Sequence, residues 1–195
     1  MPSTTATIFG AIAKLATWRA ICAWYRRMTS HPIFYPNAEV LERESPLADK
    51  MRSAERLDAM WLTGIKSIVE VQTVDKVDRL LLPDPESASM KYFQSLAENP
   101  RDLGDEIRSA TRQAREKKIK VRWLTEFVGY SLTIWNPKSD NASVSIKMCF
   151  PVIHGSRHPC FEFQKPKHAA TVDDIKKIFD ELWSEKHSKE PEDGN

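Results

Sequence analysis

Between positions 108 and 122 the chain sets Arg108, Arg112, Arg115, Lys117, Lys118, Lys120 and Arg122 against one acid, Glu116. Arg108, Arg112 and Arg115 recur at helical spacing and share one face, which would give a docking strip for phosphate-rich partners such as nucleic acid or an anionic lipid surface. The same cations also suit a solvated helix whose lysines sit at its negative C-terminal end. Trp123 and Trp135 lie near the strip in sequence and are suited either to stacking on bases or to filling a core.

A second constellation is His154, His158, Cys160 and His168. His154 and His158 have a spacing found in zinc pairs, with a thiol close behind. Gly155 and Pro159 mark the segment as a loop leading into a strand, however, and Cys160 opens the alternating run Cys-Phe-Glu-Phe. Solvent-facing loop histidines and a buried thiol are expected there, with no metal site. The three cysteines are an odd number without a CxxC pair, which points to reduced thiols rather than a disulfide framework. With six glycines the chain has neither GxGxxG nor GxxxxGK[ST], and GxSxG, HExxH and the DxDxDG loop are absent too, so no cofactor is expected. The neighbouring carboxylates Asp173, Asp174, Asp180 and Glu181 read as surface charge on a helix.

The elements that position these residues follow from periodicity. The chain of 195 residues is 41% hydrophobic and 29% charged, enough for one domain with flanking elements, and its net charge of +2 discriminates little between partners. Ser45-Pro46 is a helix start, with Leu47, Met51, Ala54, Leu57, Met60 and Trp61 as the apolar face of a helix ending at Thr63-Gly64. Residues 67–72 alternate as a strand, and residues 79–83 read as a fully buried one. Helices are expected at 86–97 and 101–117. Strands then fill 120–125, 129–135 and 143–150, the last two joined by the turn formers of 136–141, and residues 160–164 add another strand. Thr171 caps a closing helix that carries Ile175, Ile178, Phe179, Leu182 and Trp183, and residues 187–195 form a disordered tail. The fold class is α/β, a layered α/β sandwich with a mixed, mostly parallel sheet and a late antiparallel hairpin, preceded by an N-terminal helix.

That first helix covers residues 1–28, and residues 29–44, broken by His31-Pro32 and Tyr35-Pro36, form a linker. Ile8, Ile12, Leu15, Trp18 and Trp24 lie among Lys14, Arg19, Arg26 and Arg27, and the first 38 residues hold no acid. The two interior cations argue against a spanning segment. Docking on a protein partner, seating in an anionic membrane interface and serving as an organelle-targeting presequence all remain open to it. An intracellular, cytoplasmic location is expected, with membrane association or organelle targeting through residues 1–28.

Three local phrases carry a further signal: Ala59-Met-Trp-Leu-Thr-Gly64, Arg79-Leu-Leu-Leu-Pro-Asp-Pro85 and Ile119-Lys-Val-Arg-Trp123. Together with the order of elements over residues 45–186, they resemble a half-domain of the phospholipase D superfamily in its divergent prokaryotic branch. The resemblance implies a hairpin bearing His-x-Lys-x-x-x-x-Asp, where the histidine attacks phosphorus and the lysine holds a phosphate oxygen. This chain has Tyr130 at the histidine position, Leu132 at the lysine position and Pro137 at the aspartate position. A phenol of ordinary pKa is a poor phosphorus nucleophile, and leucine neutralises no charge. The expected function is a non-catalytic, phospholipase D-like binding or regulatory domain, with residues 1–28 contacting a partner or membrane. The alternatives are a nucleic-acid module using residues 108–122, and a phosphodiesterase or nuclease with a site not identified above, for instance one completed by a second chain. The resemblance also implies pairing of two halves, hence a protein partner or a homodimer.

Overall fold

A computed structural model describes residues 31–63, 74–96, 102–152 and 155–192. The chain divides into two compact units, residues 1–33 and 34–195. The expected N-terminal helix and the strand at 67–72 fall outside the described residues.

The span expected as a linker is structured in its second half. Strand β1 (Ile33–Tyr35) leads into helix α1 (Ala38–Glu44), where the Asn37 Oδ1 accepts from the Val40 N–H at 2.9 Å and so satisfies a donor that the first turn leaves open. The Glu42 carboxylate accepts from the Leu47 N–H at 3.2 and 3.3 Å, at the start of helix α2 (Leu47–Ser53). There the expected helix stops, and Leu57–Met60 is strand β2. All four β2 residues are buried because β2 lies between two other strands and under helices on both faces. A strand buried on both faces loses its polar alternation, so its apolar run passes for the end of a helix.

The chain continues as β3 (Val77–Pro83), α3 (Ala88–Ser95) capped by Ser87, and α4 (Leu103–Glu116) capped by Asp102. After these come β4 (Lys120–Leu124), β5 (Tyr130–Trp135), β6 (Ser143–Met148), β7 (Cys160–Gln164), α5 (Ala169–Trp183) and β8 (Ser188–Lys189). Helix α5 begins two residues before Thr171, with His168 in the cap position and no side-chain cap. Two residues of the span expected as a disordered tail pair with the sheet: Ser188 lies opposite Leu124 and Lys189 opposite Trp123, while Arg122 donates to the Ser188 Oγ and carbonyl at 2.8 Å each; residues 193–195 lie outside the described residues.

The eight strands form one sheet in the order β1-β7-β6-β5-β2-β3-β4-β8. Among the pairs whose register is described, β2–β3 and β3–β4 are parallel, whereas β2–β5, β5–β6, β6–β7 and β4–β8 are antiparallel. The sheet is therefore mixed and mostly antiparallel. Parallel neighbours need long crossovers, whereas β5, β6 and β7 are consecutive antiparallel neighbours joined by loops that reverse the chain, and β8 reaches the edge beside β4 after α5.

One face of β2, β3 and β4 packs Leu57, Ala59, Leu80, Leu82, Val121 and Trp123 against Met51, Met90, Phe93, Ile107, Ala110 and Ala114 of α2, α3 and α4. The other face sets Met60, Leu81, Leu124, Leu132, Ile134 and Val144 against Val172 and Phe179 of α5. Arg79 pins α5 to the sheet. Its guanidinium makes two bonds to the buried Asp58, at 2.6 and 3.0 Å, an ion pair to Asp180 at 2.8 Å, and lies 4.8 Å from the centre of the Phe179 ring. Asp180 is exposed surface charge, as expected, and it also pairs with Arg79.

Asn136 sits where β5 turns into the hairpin, at φ 48°, a left-handed conformation that asparagine tolerates better than most residues. Its Oδ1 accepts from the Glu55 and Arg56 N–H groups at 2.7 and 3.3 Å, and its own N–H donates to the Arg56 carbonyl at 2.8 Å. The hairpin is thereby clamped to the loop between α2 and β2. Among the described residues no helix is long and apolar enough to cross a membrane.

Candidate functional site

Alternation along β5, β6 and β7 sends successive side chains to opposite faces. Tyr130, Leu132, Ile134, Val144, Ile146 and Phe163 belong to the α5 side. Their neighbours in sequence form a polar floor on the other side. Register pairs Ser131 with Lys147 and Lys147 with Cys160 in one row, then Thr133 with Ser145 and Ser145 with Glu162 in the next. Trp61, just past β2, and Trp135 wall this floor, while Leu41, Glu42, Leu47 and Lys50 from α1 and α2 come over it, leaving a cleft of about 130 Å³.

Glu162 is the centre of a closed network. Only 3% exposed, it accepts from the Tyr35 hydroxyl at 3.0 Å and the Ser145 hydroxyl at 2.9 Å, and it forms an ion pair with Lys50. The Ser145 Oγ in turn accepts from the Trp135 Nε1 at 3.1 Å and the Lys50 Nζ at 3.3 Å. Burial drives Lys50 down to about 8, with the Glu42 carboxylate pulling the other way. A serine beside a lysine of lowered pKa has the composition of a nucleophile and its base. Here the serine proton is given to Glu162 and its oxygen already accepts twice, so the arrangement anchors α2 and β1 to the sheet.

The Ser131 row, and Thr133 at the β5 end of the other, are less complete. The Ser131 Oγ accepts from the Leu62 N–H at 3.2 Å, and the nearest group for its own proton is the Cys149 Sγ at 3.5 Å. The Thr133 Oγ1 accepts from the Trp61 Nε1 at 2.9 Å. Among the described residues, neither the Thr133 proton nor the Lys147 ammonium has a hydrogen-bonding or ion-pair partner. Burial raises both thiols bordering this row, Cys160 to about 11, which leaves them poor nucleophiles.

The sequence had pointed elsewhere. Tyr130 and Leu132 lie on the α5 side of β5, Leu132 at 1% exposure in the apolar core, and burial pushes the Tyr130 phenol up. The basic strip is partly spent on the protein itself. Arg108 pairs with Glu86 and Asp105, Arg115 donates to the Pro191 carbonyl at 2.6 Å, and Arg122 holds Ser188 and reaches Glu190. Arg112, Lys118 and Lys120 stand exposed on α4 and at the start of β4, and Lys117 at the end of α4 is exposed as well. His158 does not face solvent. It is 4% exposed, with its Nε2 set between the Phe150 N–H at 3.2 Å and the Phe150 carbonyl at 3.1 Å, so it braces the loop after β6. His154 lies outside the described residues, as do Ile8, Ile12, Leu15, Trp18, Trp24, Arg26 and Arg27. No group of three His, Cys, Asp or Glu is placed to hold a metal among the described residues.

Tyr35, Lys50, Ser131, Thr133, Ser145, Lys147 and Glu162 were not singled out from the sequence. The one signal was Glu162, a carboxylate between two phenylalanines in mid-strand, where burial demands a partner. Compared with protein-family models, curated proteins and solved structures, the chain gives no match.

Proposed function

We propose that the chain is a phospholipase D-like domain that works by binding, without phosphoryl chemistry, and that the cleft over β5 and β6 is its ligand site. The mixed sheet with helices on both faces and a hairpin beside its middle strand supports the resemblance. The observation that carries the non-catalytic reading is the direction of Leu132: the position matching the family's lysine points into the α5 core at 1% exposure, away from the cleft. What faces the cleft is a set of hydrogen-bond donors between two tryptophans, the composition of a recognition site.

A thermal-shift screen of small polar molecules tests this reading, since a ligand that binds only the native state raises the midpoint by mass action. Stabilisation should be lost in Thr133→Val and Lys147→Met. A ligand that stabilises both variants as it does the wild type would place the site elsewhere. Hydrolysis of bis(p-nitrophenyl) phosphate that disappears with Ser131→Ala would return the domain to catalysis.

The proposal keeps a separate role for residues 1–28 as the contact to a protein partner or an anionic membrane. Truncation to residues 29–195 should alter assembly or vesicle association and leave the near-ultraviolet dichroism of the body unchanged. A nucleic-acid role rests on Arg112, Lys118 and Lys120, and a gel shift that weakens steeply with salt and vanishes in Arg112→Glu would support it.

A further inference from the structure

The cleft contains more hydrogen-bond donors than the protein uses. Ser131 and Thr133 are 7% and 8% exposed, so their hydroxyls are largely withdrawn from water. Each oxygen is occupied from the protein side, Ser131 by the Leu62 N–H and Thr133 by the Trp61 indole, which turns both hydroxyl protons away from those donors. Among the described residues, the group offered to the Ser131 proton is the sulfur of Cys149 at 3.5 Å, a weak acceptor. Nothing among the described residues accepts from Thr133. Lys147, directly opposite Ser131 in register, adds three further donors and a positive charge. Three adjacent donor groups on one face of one cleft specify an acceptor with at least two oxygens.

The charges narrow the class. Lys50 and Glu162 neutralise each other within the network. Lys147 has no counter-ion among the described residues, so the floor has room for one negative charge. A second charge on the ligand would be repelled by Glu162 behind Ser145 and by Glu42 at the rim. Leu41, Leu47, Trp61 and Trp135 supply apolar walls, and at about 130 Å³ the space is well below that of drug-sized sites.

We propose that the cleft takes a small monocarboxylic acid, its carboxylate held by the Ser131 and Thr133 hydroxyls and the Lys147 ammonium, its apolar part against Trp61, Trp135, Leu41 and Leu47. This rests on the cleft being the ligand site, and it adds the ligand's chemical class. A carboxylate accepts several hydrogen bonds in one plane and gains strength from a charged donor, so it completes Ser131, Thr133 and Lys147 together.

Full-length protein is titrated with propionate, benzoate, benzamide and inorganic phosphate, following tryptophan fluorescence and binding heat. Benzoate should bind about tenfold more tightly than benzamide, a difference of about 1.4 kcal/mol, and phosphate more weakly than either carboxylate. Lys147→Met should erase the preference for benzoate, Lys147→Arg should retain most of it, and Thr133→Val should weaken both carboxylates. Near-ultraviolet dichroism confirms that each variant is folded. Equal binding of benzoate and benzamide, both lost when the cleft is altered, overturns the carboxylate class and leaves the cleft as the ligand site. Tighter binding of phosphate does the same. Benzoate binding that is indifferent to Lys147→Met and Thr133→Val overturns the assignment of these residues. If none of the four compounds binds, the inference falls, and the cleft reading falls with it only if the broader thermal-shift screen also yields no ligand sensitive to cleft substitutions.

Discussion

On one side of β5, β6 and β7, Leu132, Ile134, Val144 and Phe163 meet Val172, Ile175 and Phe179 of α5; on the other, Ser131, Thr133, Ser145, Lys147 and Glu162 lie beneath α1 and α2. The two sets interleave residue by residue in the same strands, and each holds both buried and half-buried residues. They are stabilised by different physics. The α5 side gains from apolar area removed from water, which is non-directional and tolerates a range of shapes. The polar side is stable only where each donor finds an acceptor, so its quality can be judged group by group. By that measure Glu162, Ser145 and Lys50 are paired, while Ser131, Thr133 and Lys147 keep donors without a good acceptor among the described residues. A core needs no donors left over, and a ligand site does.

The comparison breaks most sharply at Leu132. Leu132→Ala opens a cavity in the α5 side and should cost about 3 kcal/mol in denaturant unfolding, while leaving ligand response in the cleft unchanged. A loss below about 1 kcal/mol would mean that the two sides do not divide the work as described. Next comes Glu162→Gln, which keeps the shape but removes the charge that Lys50 faces. With Lys50 partly solvated, the cost should be about 2 kcal/mol, and it should shrink in the double variant with Lys50→Met because the unpaired ammonium is then gone. A double variant that costs the sum of the two single variants would show that the pair is not coupled.

The α5 side was the legible one. Ile175, Phe179, Leu182 and Trp183 announced their stripe by helical spacing, although Ile178, read with them, is exposed, and the runs at 120–125, 129–135, 143–150 and 160–164, within which the strands lie, announced themselves by β-branched and aromatic content. Alternation says that a strand has two faces and is silent on which one meets a cleft. Taking Tyr130 and Leu132 as the site-facing pair chose the α5 side, and Ser131 and Thr133 face the other way. Lys50 was hidden because its importance arises from Glu162, more than a hundred positions away, and no local pattern carries that pairing. Strand β2 was hidden by its own burial, and β8 by a polar, acidic composition that holds a strand only because Arg122 and Asp84 grip Ser188 and Lys189.

Smaller effects sharpen the polar side alone. Asn136→Ala removes the acceptor for the Glu55 and Arg56 N–H groups and puts a residue less suited to φ 48° at the mouth of the hairpin, so it should cost about 1 to 2 kcal/mol. Because this clamp joins the hairpin to the loop after α2, cleft ligands should weaken in parallel; an unchanged affinity would separate the clamp from the site.

The finest effect is on Lys50, which burial brings to about 8 from an ordinary 10.5 while Glu42 raises it. Removing that carboxylate in Glu42→Gln should lower the midpoint further, by a few tenths of a pH unit because the charge is exposed and screened. Carbon-13 spectra of the reductively methylated lysines would read the shift directly. The sign for stability follows from proton counting. Between about 8 and 10.5 the unfolded chain still holds the Lys50 proton that the folded chain has released, so this group's contribution rises with pH across that window. Lys50→Met should flatten the rise. A midpoint that moves upward in Glu42→Gln would mean that desolvation is not what governs Lys50, and the polar side would then be more open to water than its closed network implies.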